Sequence, residues 1–171
     1  MSYTYVDVTK SFAALDLIKH SLYTHFAEEK RLNPSNMHIL EYLIKNPGCT
    51  QVELANYLMV TPASVTLATQ RLEKAGLITK AAHSDNLRCK ELFITDKGRE
   101  NYEYNLQVFK KIDKILFCGF SESDIEQFTQ TLERITENAL KNCREVLSEK
   151  EFKRLSYISK NRSTLKGKDN T

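Results

Sequence analysis

Apolar residues recur every three or four positions along most of the chain, which is the spacing of amphipathic α-helices. This pattern predicts a first helix within residues 7–29 and a second over about 35–45. A third helix is expected after Thr95, and a last, long helix opens at Ser121 with an S-x-x-D capping box to Asp124.

The apolar face of the last predicted helix is too long for a small domain to cover by itself. Its members nearly form a coiled-coil seam and are Ile125, Phe128, Leu132, Ile135, Ala139 and Val146. We therefore expect a symmetric dimer in which the first and last helices of two chains interlock; the alternative is a bundle within one chain. The residues predicted to dimerise are Phe12, Leu15, Ile18, Ile125, Phe128, Leu132 and Ile135.

Two short helices with clear capping signals are predicted between Thr50 and Gly76. Thr50 and Glu53 have the T-x-x-E spacing of a capping box, in which each side chain satisfies a backbone donor of the first turn. Residues 58–61 form a connection of helix-turn-helix length. Thr61 can cap the second helix, with Pro62 at its first position, and Gly76 ends it.

The second of these helices has the composition of a recognition helix. Val65, Ala68 and Leu72 are spaced to face inward. The positions left facing outward are Pro62, Ala63, Ser64, Thr66, Leu67, Thr69 and Gln70. Hydroxyls can bond several bases, glutamine pairs well with adenine, and small apolar groups meet the thymine methyl. Solvated helix residues would look the same in isolation, but the surrounding unit favours placement in a major groove.

Residues 77–80 and 90–95 are expected to form two antiparallel strands around a polar tip at 83–86. Near that tip, Arg88 is suited to a minor groove, where negative potential favours arginine. Arg71, Lys80 and Lys90 are candidate phosphate contacts, although surface cations are commonly just solvated. The fold class is therefore mainly α with a small two- to three-stranded β wing (α+β).

These motifs resemble the MarR family of bacterial transcriptional regulators. The resemblance rests on L-A-x-x-L at 54–58, R-L-E-x-x-G-L-I at 71–78, a wing arginine at Arg88 and I-T-D-K-G at 94–98. Two positions depart from the family pattern: Asn86 stands where an aspartate is usual before the wing arginine, and Met59 where the turn often has glycine.

The resemblance implies an obligate dimer in which a winged helix-turn-helix is flanked by N- and C-terminal dimerisation helices. It places an N-terminal dimerisation helix at 1–32, the DNA-binding domain at 33–100 and C-terminal dimerisation helices at 101–158. Composition predicts a basic, disordered tail at 159–171. The resemblance also assigns base readout to Pro62, Ala63, Ser64, Thr66 and Gln70. The full set predicted to contact DNA is Thr50, Gln51, Thr61, Pro62, Ala63, Ser64, Thr66, Leu67, Gln70, Arg71, Lys80, Arg88 and Lys90.

Charge adds little to this picture except at the C-terminal end. The chain of 171 residues has a formal net charge of +3, whereas the segment from Glu149 onward holds seven basic residues against three acidic ones. Such a tail could attract DNA without regard to sequence, or simply remain disordered. No apolar run of membrane-spanning length and no secretory signal are present, so a cytoplasmic location is expected.

No catalytic or metal motif stands out, so neither an enzyme nor a cofactor is expected. Of the four cysteines, Cys49 and Cys89 lie where a lowered thiol pKa is conceivable, but reduced and inert thiols are the expectation for all four. The four histidines lack helical zinc spacing. A ligand pocket for a small aromatic effector is predicted at Tyr23, Phe26, His38 and Tyr42, all of which would serve equally as core residues.

The sequence thus predicts a dimeric, sequence-specific repressor that binds a pseudo-palindromic operator in double-stranded DNA and is tuned by a small ligand. Two alternatives remain at this point. One is a winged-helix module that binds proteins and no DNA. The other is a regulator of the same fold that responds to redox state or a metal.

Overall fold

A computed structural model describes residues 3–27, 32, 34–82 and 90–162. The described elements are α1 (Tyr5–Ala27), α2 (Pro34–Lys45), β1 (Cys49–Thr50), α3 (Gln51–Leu58), α4 (Pro62–Lys74), β2 (Ile78–Ala82), β3 (Lys90–Ile94), α5 (Asp96–Leu116), α6 (Glu122–Cys143) and α7 (Glu149–Arg162). The chain divides into two compact units after Phe117. The fold class is the mainly helical, winged one that the sequence predicts.

A three-stranded antiparallel sheet in the order β1-β3-β2 forms the wing. Strands β2 and β3 pair from Ile78 opposite Ile94 to Ala82 opposite Lys90, which confirms the two predicted strands and lengthens the first of them. The short strand β1 pairs Cys49 with Leu92 and was not located from the sequence. Two residues of extended chain carry no detectable alternation, so periodicity could not reveal it.

The main core of the first unit lies between α2, α3, α4 and the sheet. Its least exposed side chains are Ile39, Leu40, Leu43, Leu54, Val65, Leu72, Ile78 and Leu92. The spacing that predicted inward positions on α4 is confirmed for Val65 and Leu72. The capping box of α3 helps to explain why so short a helix forms here, since eight residues would be marginal without a cap and core contacts.

A second core cluster joins α1 to α5, where Tyr23, Ala27, Val108 and Ile112 are buried together. The ring of Tyr23 stacks on that of Phe109 with centroids 4.8 Å apart. At its far end, the Tyr23 hydroxyl donates a hydrogen bond to the side-chain oxygen of the fully buried Asn105. The backbone nitrogen of Leu32 donates to the same hydroxyl at 3.0 Å. This polar network fastens the end of α1 and Leu32 to α5.

The second unit begins with α6, whose predicted Ser121–Asp124 capping box is confirmed. The prediction of one uninterrupted last helix is wrong: α6 ends at Cys143, and Val146, assigned to its seam, is 83% exposed. A separate helix, α7, follows a Ser148–Glu151 pair in which Ser148 donates from its hydroxyl at 2.5 Å. That S-x-x-E spacing is the sequence signal that was overlooked.

Residues 159–162, predicted to belong to a disordered tail, are instead helical, since α7 continues to Arg162. Residues 163–171 lie outside the described part of the chain. Among the described helices, none combines the length and apolar character needed to cross a membrane.

Candidate nucleic-acid interface

Helix α3 and the turn that follows it determine the direction of helix α4. The capping box is complete: the Thr50 backbone nitrogen donates to the Glu53 carboxylate at 2.7 Å, and the Glu53 nitrogen donates to the Thr50 hydroxyl at 3.2 Å. The helix ends at Met59, which adopts a left-handed conformation with φ of 54°. This is the position where the family pattern often has glycine, and a side chain there costs about 1–2 kcal/mol.

Helix α4 presents its N-terminal half to solvent, as the recognition-helix prediction requires. Thr61 caps it by accepting a hydrogen bond from the Ser64 nitrogen at 3.2 Å, with Pro62 in the first turn. Most residues of α4 and its cap that are predicted to contact DNA are exposed: Thr61, Pro62, Ala63, Ser64, Leu67, Gln70 and Arg71. Thr66 is half-buried, and its hydroxyl donates to the Pro62 carbonyl oxygen at 2.9 Å.

Thr69 corrects the predicted outward face, because its side chain is fully buried. The side-chain amide nitrogen of Gln51 donates to the Thr69 hydroxyl at 2.7 Å, and that hydroxyl donates to the Thr66 carbonyl oxygen at 3.1 Å. Gln51, predicted to contact DNA, therefore has its amide committed to α4. Position 69 lies at the edge of the inward face, where helical spacing alone does not decide exposure.

Lys80 is the second correction among the predicted DNA contacts. Its ammonium nitrogen lies 2.7 Å from a carboxylate oxygen of Glu73, and its side chain is only 9% exposed. An amine held in such an ion pair is not available to a phosphate. Arg71 and Lys90 are exposed, and so is Lys74 in the last turn of α4, a cation that sequence reasoning passed over.

The C-terminal end of α4 is fastened to the first turn of α5. The Thr95 hydroxyl donates to the Gly76 carbonyl oxygen at 2.7 Å, and the Lys97 ammonium donates to that of Ala75 at 2.8 Å. Gly98 is in such close contact that a Cβ there would lie 2.1 Å from the Leu77 carbonyl oxygen. These contacts explain the I-T-D-K-G motif. Thr95 caps α5, Lys97 donates to a carbonyl oxygen at the end of α4, and the position of Gly98 has no room for a side chain.

The tip of the wing, with His83, Asn86, Arg88 and Cys89, lies outside the described residues. Its predicted minor-groove contact through Arg88 therefore stays a prediction.

The four residues predicted to line an effector pocket fall into different surroundings. Tyr23 is buried in the α1–α5 cluster with its hydroxyl engaged, and Phe26 packs half-buried against the same cluster. Tyr42 belongs instead to the main core, where its ring stacks on Tyr57 with centroids 4.2 Å apart. His38 is exposed. Three of the four thus pack against core residues, and the pocket remains a prediction.

The idea of a reactive thiol at Cys49 is not supported by its surroundings. Burial, followed by the nearby Glu53 carboxylate, raises the pKa of Cys49 to about 11, so its thiolate is scarce. Cys118 is exposed and Cys143 half-buried, and both are free thiols. Within the described residues, no group of three or more potential metal ligands comes together.

Comparison with known proteins agrees with the architecture of this face. The sequence profile of the MarR family matches residues 32–90, the span from the end of the α1–α2 connection to the start of β3. This segment of the chain therefore resembles the MarR family. The curated relatives of the chain are transcriptional regulators, a class of protein distinct from enzymes.

Two of these relatives come from Bacillus subtilis. The HTH-type transcriptional regulator YybA is 29% identical over 100 residues, which cover 57% of this chain and 67% of the relative. The HTH-type transcriptional repressor MdtR is 26% identical over 112 residues, covering 66% of this chain and 72% of the relative. About two thirds of each relative is therefore matched.

Solved structures with this fold include a MarR protein from Peptoclostridium difficile, 28% identical with a TM-score of 0.63, matching 86% of this chain and 97% of that one. A Staphylococcus aureus MepR mutant bound to an oligodeoxyribonucleotide shares the fold at 22% identity, with a TM-score of 0.54 and coverage of 80% and 99%.

Proposed function

We propose that two copies of this regulator bind a pseudo-palindromic operator in double-stranded DNA, with one α4 helix in each of two major grooves. The observation that carries the proposal is the division of α4 into two faces. Val65 and Leu72 anchor one face in the core, while Ser64, Leu67 and Gln70 leave the other face open. The likeness in fold to a MepR mutant bound to an oligodeoxyribonucleotide supports it.

Each exposed side chain of α4 has a distinct use in such a complex. The Ser64 hydroxyl can donate or accept, the Gln70 amide can bond both polar atoms of an adenine edge, and Leu67, 51% exposed, can meet a thymine methyl. Arg71, Lys74 and Lys90 are exposed and are proposed to contact phosphates. Arg88 is proposed for the adjacent minor groove.

The dimer is proposed from apolar side chains that one chain leaves uncovered. Phe128 and Ile135 of α6 are 39% and 42% exposed, and Phe12 and Ile18 of α1 are exposed as well. A second copy would bury these side chains and hold two recognition helices about 34 Å apart, one turn of B-form DNA.

We propose that a small ligand controls DNA binding, because such control is typical of the MarR regulators that this chain resembles. A small effector that binds better to a dimer with the wrong helix spacing would shift the population away from the operator-bound form and relieve repression. We place this activity in the cytoplasm.

The test is fluorescence anisotropy with a genomic fragment recovered by affinity selection. We expect Gln70→Ala to lower the preference for the operator over unrelated duplex by about 1–3 kcal/mol, because a bidentate base contact is lost. Gln107→Ala, an exposed glutamine on α5, is the matched control and should bind like the unaltered protein. Equal preference in Gln70→Ala and the unaltered protein would refute the assignment.

A module that binds protein in place of DNA is a second candidate, favoured by one observation. Arg71 and Lys74 are the exposed cations of α4, and Lys80 is neutralised by Glu73. Salt separates the two functions: DNA affinity falls steeply as salt rises because counterions are released, whereas an apolar protein interface resists salt.

A further inference from the structure

The contact between Gln51 and Thr69 crosses from the first turn of α3 to the middle of the recognition helix. It joins residues 18 apart in sequence at an N–O distance of 2.7 Å. Gln51 is half-buried and Thr69 is fully buried. Neither side chain therefore offers the exposed surface that a groove contact requires.

The direction of this hydrogen bond follows from the two partners of the Thr69 hydroxyl. A hydroxyl has a single proton, and that of Thr69 goes to the Thr66 carbonyl oxygen at 3.1 Å. A carbonyl oxygen can only accept, so the hydroxyl must accept from Gln51. The resulting chain of hydrogen bonds runs from Gln51 through Thr69 to the backbone of Thr66.

This chain ends among the residues proposed to read bases. Thr66 lies one turn before Thr69, and Gln70 is the next residue. Side-chain tips lie about 6 Å from a helix axis, so a rotation of α4 by about 10° moves the Gln70 amide by about 1 Å. A bidentate base contact tolerates little more than that.

The apolar contacts between the two helices set their separation more firmly than their rotation. Leu54 and Ala55 of α3 share the core with Val65 and Leu72 of α4, and hydrophobic attraction has no preferred direction. A hydrogen bond does have one, since it weakens steeply as donor and acceptor fall out of line.

We propose that Gln51 is a positioning residue that fixes the rotation of the recognition helix through Thr69, and that its side chain does not contact DNA. The inference rests on the proposed operator binding. It reverses the prediction from the sequence, in which Gln51 was placed on the DNA.

A double-mutant cycle of Gln51→Met, Thr69→Val and the combination tests the proposal by anisotropy on the operator and on an unrelated duplex over a range of salt. Each single change is expected to weaken operator binding about tenfold, and the double change no more than either one, because both remove the same interaction. Binding to the unrelated duplex and the salt slope should stay unchanged. Thr69→Ser, which keeps the hydroxyl, should restore operator binding.

Two results would overturn the proposal. If Gln51→Met weakens binding to the unrelated duplex as much as binding to the operator, the side chain contacts the DNA backbone directly. If the double change costs about a hundredfold, the two residues act independently. Urea unfolding of each variant shows whether it is folded. If Thr69→Val does not fold, Thr69→Cys replaces it in the cycle, because a thiol is a weak hydrogen-bond acceptor. Unaltered protein that binds no genomic fragment refutes the operator proposal itself, which is a different outcome.

Discussion

The winged region and helix α6 have apolar residues at similar helical spacing, yet these residues are buried in the first and exposed or half-buried in the second. Leu54, Val65 and Leu72 in the winged region are buried by other parts of the same unit. Helix α6 has no buried residue along its whole length, and Phe128 and Ile135 remain more than a third exposed. An apolar stripe thus shows that a helix needs a cover without showing which molecule provides it.

The largest expected effect comes from filling the close contact at Gly98. The Cβ of Gly98→Ala would lie 2.1 Å from the Leu77 carbonyl oxygen and 2.8 Å from Ile94. We expect a loss of about 3 kcal/mol or more in the free energy of unfolding of the winged region, measured in urea.

Gly119→Ala is the matched control for that substitution. No atom lies within 4 Å of its added Cβ, although its φ of +85° makes the new side chain strained. The cost should therefore be about 1–2 kcal/mol. Equal losses at the two glycines would show that the contact with Leu77 is not the cause.

The reactivities of the Cys49 and Cys118 thiols can be compared between the two regions. The pKa of Cys49 is raised from 9.0 to about 11, which makes its thiolate about a hundredfold scarcer near pH 8. We expect iodoacetamide to label the exposed Cys118 faster than the buried Cys49, as followed by peptide mass spectrometry. The rate at Cys49 should keep rising with pH up to its pKa of about 11. Rapid labelling of Cys49 at neutral pH would revive the redox alternative.

A charge on α6 tests whether a second chain covers its apolar face. Phe128→Asp should weaken dimerisation at least about 30-fold, or about 2 kcal/mol, because the carboxylate would be desolvated twice in a symmetric interface. Sedimentation equilibrium measures the change. Gln127→Asp, at an exposed neighbouring position, is the control and should leave the dimer intact. A monomeric starting protein would contradict the proposed assembly.

The smallest expected effect is a gain in stability in the helix-turn-helix. Met59→Gly removes the strain of a side chain at φ of 54° and should raise the free energy of unfolding by about 1 kcal/mol. Asn56→Gly, on the exposed side of α3, should instead lower it by about 1 kcal/mol, since glycine weakens a helix. Urea titrations compare the two variants, and a loss at Met59→Gly would mean that its side-chain contacts outweigh the strain.

Local signals predicted the fold well because they act over three or four residues. The capping boxes at Thr50 and Ser121 are complete, and Pro62 opens α4 as expected. The candidate site was harder, because its errors arise from contacts between distant positions. Lys80 forms an ion pair with Glu73, and Thr69 accepts a hydrogen bond from Gln51. No local sequence pattern predicts either contact. The raised pKa of Cys49 likewise depends on burial that no neighbouring residue predicts.

The hydrogen bonds that Thr95 and Lys97 donate to Gly76 and Ala75 couple the carboxyl end of α4 directly to the first turn of α5. Helix α5 spans 21 residues, or about 31 Å at the usual rise. A tilt of about 5° about its far end would therefore carry its first turn sideways by about 3 Å, and the attached helix end with it. A small tilt near Leu116 would in this way become a larger movement at the carboxyl end of α4.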